Sequence, residues 1–257
     1  MNNLLHQEQG NGAAVVLIHG FPGSAEYWGI LLPRLAADYR IFTPDLPGHG
    51  GSPIAEGVAS IDAYADAVAS WMRRIGIENA PVLGHSMGGY TALALLDRHP
   101  DIVSAIGLIH STPYADSEEA RENRLRSIAR IREEGMRAFV DDMIPKLFAP
   151  QHLTAMSEHI ATVKAIGHRN SAEGAIYALE AMRSRPERLQ LLQQARIPVL
   201  LVAGEEDQII PPERTHVVQG NQVTSVTLPA CGHMSMYEQP EKLAEAIANF
   251  VTKAPAS

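Results

Sequence analysis

Ser86 lies in Gly84-His85-Ser86-Met87-Gly88-Gly89, directly after the apolar run Pro81-Val82-Leu83 and directly before a segment with helical spacing. A serine hydroxyl is a weak nucleophile until a base takes its proton and the backbone lifts it clear of the fold. A sharp strand-to-helix turn does the lifting, and small residues around the serine make that turn sterically possible. The pattern alone is weak, because short glycine-serine strings arise by chance. The segment after it adds weight: Tyr90, Leu93 and Leu96 are spaced for burial and Pro100 closes it.

A serine nucleophile needs a base, an orienting carboxylate and donors for the oxyanion. Of the 11 histidines, His233 in Ala230-Cys231-Gly232-His233-Met234 is the best candidate for the base. It follows the last strand-like run, precedes the last helix-like segment, and has Gly232 beside it to permit an unusual turn. The acid belongs after the preceding strand, in Gly204-Glu205-Glu206-Asp207. Asp207 is preferred, with Glu206 as the fallback, because the glutamates come earlier in the turn, where charge is usually solvated. Phe21 and Met87 are the expected oxyanion donors through their backbone N–H groups, since Pro22 has no N–H to offer. His19 reads as a brace for the Phe21 loop rather than as a catalyst.

Those side chains need a scaffold that brings distant loops to one edge. Val15–Ile18, Arg40–Thr43, Pro81–Leu83, Val103–Ile109, Val199–Ala203 and Val223–Leu228 read as strands buried on both faces. Between them Ile61, Tyr64, Val68, Trp71 and Ile75 step by threes and fours, with Ser60 placed to cap the start and Gly76 the end. Leu243, Ile247 and Phe250 repeat the stepping near the C-terminus. The alternation predicts an α/β fold with a doubly wound, mostly parallel sheet. Residues 113–195 break it: they offer only helical candidates, one capped by Ser117 and carrying Leu125, Ile128 and Ile131, another capped by Ser171. We therefore expect a core of residues 1–112 and 196–257, and a helical cap insert at 113–195 over the C-terminal edge of the sheet.

Composition bounds the partners. With 257 residues, 46% of them hydrophobic, the chain can bury a large core. A net charge of −8 and a charged fraction of 19% argue against nucleic acid, and no apolar run approaches a membrane span. No secretory signal is visible, and the single cysteine, Cys231, suits a reducing compartment, so a cytoplasmic location is expected. The histidines show no paired metal-ligand spacing, and no phosphate-binding glycine loop occurs, so neither a metal nor a cofactor is predicted. Arg121, Arg124, Arg126, Arg130, Arg132 and Arg137 are interleaved with Glu118, Glu119, Glu122, Glu133 and Glu134, which predicts a self-neutralised helix face rather than an anion site.

His19-Gly20-Phe21-Pro22-Gly23, Asp45-Leu46-Pro47-Gly48-His49-Gly50, Gly84-His85-Ser86-Met87-Gly88-Gly89, Gly204-Glu205-Glu206-Asp207 and Gly232-His233 together resemble the α/β-hydrolase family, in its order of nucleophile, acid and histidine. Within it the chain resembles small capped carboxylesterases and 3-oxoadipate enol-lactonase-like serine hydrolases. The resemblance implies a catalytic triad of Ser86, Asp207 and His233 that cleaves a small-molecule ester through an acyl-enzyme. Lactone hydrolysis, C–C bond hydrolysis and perhydrolysis run on the same residues, and a ligand-binding receptor with vestigial turnover is the alternative of another class. One departure stands out. Such proteins open with a β-hairpin, whereas here only Leu4–Glu8 precedes Gly10-Asn11-Gly12, so the first strand is expected to be missing. That leaves a sheet edge open to cover or to pairing in a homodimer.

Overall fold

In the computed structural model, which describes residues 4–253, seven strands form one sheet in the order β1-β3-β2-β4-β5-β6-β7. They are β1 (His6–Gln9), β2 (Ala13–Ile18), β3 (Tyr39–Pro44), β4 (Ala80–His85), β5 (Val103–Ile109), β6 (Val199–Gly204) and β7 (Val223–Leu228). Only β1 is antiparallel, against β3; every other neighbouring pair is parallel. β4, β5 and β6 are buried at every position, as a central parallel sheet covered on both faces requires. The short opening segment thus supplies a single strand, exposed throughout. Its sequence His-Gln-Glu-Gln and the Glu8–Arg40 ion pair make this edge polar, which disfavours further strand addition.

The helix Ile61–Arg74 buries Ile61, Tyr64, Val68 and Trp71, and Ser60 Oγ caps it by accepting from the Ala63 N–H at 3.0 Å. Gly76 follows with φ 79, a left-handed conformation that favours glycine. The helices Met87–Arg98 and Pro240–Val251 complete the alternation.

Between β5 and β6 the described residues contain helices and no strand, including Glu118–Met143, Ser157–His168, Ala172–Arg183 and Leu189–Gln194. Ser117 and Ser171 cap two of them, accepting from Ala120 N and Gly174 N. The first of these helices kinks at Gly135, where φ is 83. Ile128 and Ile131 are buried, but Leu125 is 47% exposed, because the opening turns of that helix project into solvent. Arg121, Arg126 and Arg130 face Glu118, Glu122 and Glu134 along it, the neutralised face expected. The interval closes on itself and on the core: the Arg188 N–H donates to Pro113 O at 2.7 Å, and its guanidinium reaches Asp62 and Asp97.

Candidate active site

Ser86 occupies the turn between β4 and the helix Met87–Arg98 with φ 50 and ψ −114. Such backbone is disfavoured for a residue with a Cβ, costs about 1–3 kcal/mol, and persists only where surroundings enforce it. The surroundings here are glycines. A Cβ on Gly84 would fall 2.1 Å from the Gly88 carbonyl carbon, and one on Gly88 would fall 2.2 Å from Ile18 O. The end of β5 grips the turn from the other side: the Ser86 N–H donates to Ile109 O at 2.9 Å, and Ser111 Oγ donates to Ser86 O at 2.8 Å. Ser86 is partly exposed while His85 and Met87 on either side are buried. Met87 opens the helix, so its N–H has no intrahelical acceptor.

Beyond β6, Asp207 Oδ1 accepts from the Ile209 and Ile210 N–H groups at 2.8 and 2.9 Å. Its Oδ2 accepts from His233 Nδ1 at 2.7 Å and from His110 Nδ1 at 3.0 Å. Burial alone pushes a carboxyl pKa up, but the His233 charge and the two imidazole hydrogen bonds outweigh it and hold Asp207 well below the usual carboxylate range. Glu206 points elsewhere, accepting from Gln151 Nε2 at 2.7 Å. With Asp207 as acceptor, both imidazoles carry a proton on Nδ1, so in the neutral form of His233 the lone pair lies on Nε2. His110, Asp207 and His233 bring three ligand-type atoms within 4.8 Å of one another. Each imidazole already spends its Nδ1–H on the carboxylate, so hydrogen bonding accounts for the cluster and assigns no ion to it.

The loop after β2 is braced as expected. His19 Nδ1 donates to Gly20 O and its Nε2 accepts from the Leu46 N–H, both at 2.9 Å. Burial lowers its pKa to about 4, so it braces the loop as a neutral ring. Phe21 packs against Phe139 and His49, with ring centroids 6.0 and 6.1 Å away. A cavity of about 670 Å³ opens beside Phe21, with Phe139, Leu179 and Ile209 on its apolar wall and Arg126 and Lys146 among its polar groups. Another of about 630 Å³, near Ala13 and Asn79, lies where strands β2 and β4 begin, the opposite end from Ser86. Ligands of open α/β sheets bind at the C-terminal ends of the strands, which favours the Phe21 cavity.

A match to the alpha/beta hydrolase fold family spans residues 13–240 of this chain. The chain belongs to that family. Among relatives of this alpha/beta hydrolase is a pimeloyl-[acyl-carrier protein] methyl ester esterase of Neisseria meningitidis serogroup C, 30% identical over 92% of this chain and 93% of that protein. The solved thermophilic esterase of Thermogutta terrifontis, with malate bound, superposes with a TM-score of 0.92 at 32% identity, covering 97% of this chain and 93% of the other. The chain is also 30% identical over 94% of its length to the dihydrolipoyllysine-residue acetyltransferase component of an acetoin cleaving system of Pseudomonas putida, and spans 64% of that longer protein. No helix among the described residues is long and apolar enough to cross a membrane.

Three further residues brace this site from positions whose roles no sequence pattern specifies. His110 is fully buried with φ 50, one of the few left-handed residues that are not glycine. His85 donates Nε2–H to His233 O at 2.8 Å, and Gly20 packs so closely on its ring that a Cβ would sit 2.5 Å from Nδ1. Burial, with His233 and His110 nearby, keeps its pKa well below the ordinary imidazole value. Asn170, from the helical interval, donates to Pro22 O at 2.5 Å and accepts from the Gly50 N–H at 3.0 Å. Only the place of His85 beside Ser86 hinted at a role.

Proposed function

We propose that this alpha/beta hydrolase is a serine esterase that cleaves small carboxylic esters through an acyl-enzyme on Ser86. The observation that carries the reading is the enforced backbone at Ser86, φ 50 and ψ −114, in a protein whose His233 is already held on Asp207 at 2.7 Å. In this reading Ser86 Oγ attacks the ester carbonyl while His233 Nε2 takes its proton. Asp207 keeps the ring in the Nδ1–H tautomer and stabilises the imidazolium as it forms. The Phe21 and Met87 N–H groups receive the oxyanion, each contributing about 10²–10³ in turnover. His233 returns the proton to the leaving alcohol, and water then repeats the attack on the acyl-enzyme.

Residues 113–195 serve as the cap in this reading and 1–112 with 196–257 as the core, the Phe21 cavity receiving the acyl or alcohol group. Similarity to the Neisseria and Thermogutta esterases supports ester chemistry. The single, buried, unpaired Cys231 supports a cytoplasmic setting. Short- and long-acyl p-nitrophenyl esters and a set of lactones, assayed with Ser86→Ala as control, test the proposal. We expect ester hydrolysis, highest on short acyl chains, and its loss by about 10³-fold or more in the variant. Undiminished ester turnover by Ser86→Ala rejects the nucleophile.

A further inference from the structure

The loop that carries His233 has no strand or long helix to hold it, yet its backbone is fixed from two directions. The Gly232 and Met234 N–H groups, on either side of His233, both donate to Glu238 Oε1, at 3.0 and 3.2 Å. The other oxygen of that carboxylate, Oε2, accepts from the Ala149 N–H at 2.9 Å and His152 Nδ1 at 2.8 Å. Between them the His233 N–H donates to Leu147 O at 2.7 Å. The Glu238 side chain is fully buried, and these contacts bring it only N–H donors. Gly232 fits tightly as well: a Cβ there would lie 2.5 Å from Ala149 N.

We propose that Glu238 is a positioning residue for His233, a clamp that ties the loop of the base to residues 147–152 of the helical interval. This rests on the reading of His233 as the base. The chemistry suits the task, because a carboxylate offers about four acceptor sites and no donor. An amide in its place turns one oxygen into a donor facing two donors, so the clamp opens on one side. The consequence reaches the reaction: a displacement of about 1 Å at a catalytic group costs about 10²-fold in rate. The helices between β5 and β6 then do more than cover the pocket. They set the position of the imidazole.

Glu238→Gln tests this in the full-length protein with two readouts. Turnover of p-nitrophenyl acetate, per active site counted with a fluorophosphonate, should fall about 10²-fold with KM within about threefold of wild type. In low-field proton NMR with labelled histidine, the Nδ1–H of His233 on Asp207 should broaden or vanish, while that of His110 on the same carboxylate persists. A merely structural role loosens the whole site and removes both protons, which overturns the proposal. Retention of the His233 proton, or turnover within threefold of wild type, overturns it too. Wild-type protein inactive on every ester sinks the esterase reading instead, and the pair of low-field protons still decides the clamp. If Glu238→Gln does not fold, His152→Ala removes one donor from Oε2 at a partly exposed position. Selective broadening of the His233 proton then supports the clamp, and a wild-type spectrum overturns it.

Discussion

His110 and His233 meet on one atom: Asp207 Oδ2 accepts from Nδ1 of both rings, at 3.0 and 2.7 Å, with the ring centroids 5.5 Å apart. His110 therefore spends a left-handed backbone and a fully buried imidazole on holding the carboxylate that also holds His233, the base of the proposed mechanism. His110→Asn keeps a residue type that tolerates this backbone but is too short to reach Asp207. We expect a loss of about 1–3 kcal/mol in urea unfolding, the usual cost of removing one partner from a buried hydrogen bond. An unchanged unfolding midpoint shows that the second imidazole contributes nothing.

Asp207 and Glu206 are neighbours in sequence with different surroundings, one on two buried imidazoles and the other on Gln151. Asp207→Asn puts an amide donor or a weaker acceptor against His233 Nδ1–H and disturbs the tautomer that the proposed mechanism needs. The expected loss in kcat is about 10⁴-fold, by analogy with removal of the triad carboxylate in serine proteases. Glu206→Gln should stay within about threefold of wild type, as an exposed contact predicts. Steady-state kinetics of the two variants side by side decide it; the reverse ranking moves the acid to Glu206.

Acid should unfold this protein over an identifiable window. His19, His49, His85 and His110 are fully buried, and burial lowers all four pKa values, that of His19 from 6.5 to about 4 and that of His49 to about 3. Below about pH 6.5 the unfolded chain takes up protons that the folded protein refuses, so stability falls as pH falls. His19 alone accounts for about 3 kcal/mol by about pH 4. The depressed carboxyl of Asp207 carries the same slope through the ordinary carboxylate range. Urea midpoints should therefore drop steadily from about pH 7 to about pH 4.5. A midpoint constant across that range contradicts neutral buried imidazoles.

The turn at Ser86 depends on absent side chains. In Gly88→Ala the new Cβ meets Ile18 O at 2.2 Å, a backbone atom that cannot swing aside. We expect destabilisation of about 1–3 kcal/mol. Because relief of the clash moves the helix that begins at Met87, kcat should fall more than KM rises. Thermal melts and steady-state kinetics read the two effects. A variant as stable and as fast as wild type shows that this close approach is not needed.

The sequence by itself determined the layered fold and the loops that end at one edge of the sheet. Strands buried on both faces announce themselves as short aliphatic runs, and Ser60, Ser117 and Ser171 each cap a helix by accepting from an N–H three residues ahead. Ser86, His233 and Asp207 stood out as candidates for the same reason: each follows a strand in a short motif whose glycines report local backbone geometry. Leu125 shows the limit of such patterns, since its apolar spacing matches Ile128 while the helix leaves it 47% exposed. His110, Glu238 and Asn170 were decided only by tertiary structure. Their hydrogen bonds cross 97, 89 and 148 residues of chain, to Asp207, Ala149 and Pro22. No periodicity or capping rule acts over such separations. The partners of a buried polar group depend on how whole layers pack, and packing of the helices between β5 and β6 brings these donors and acceptors together.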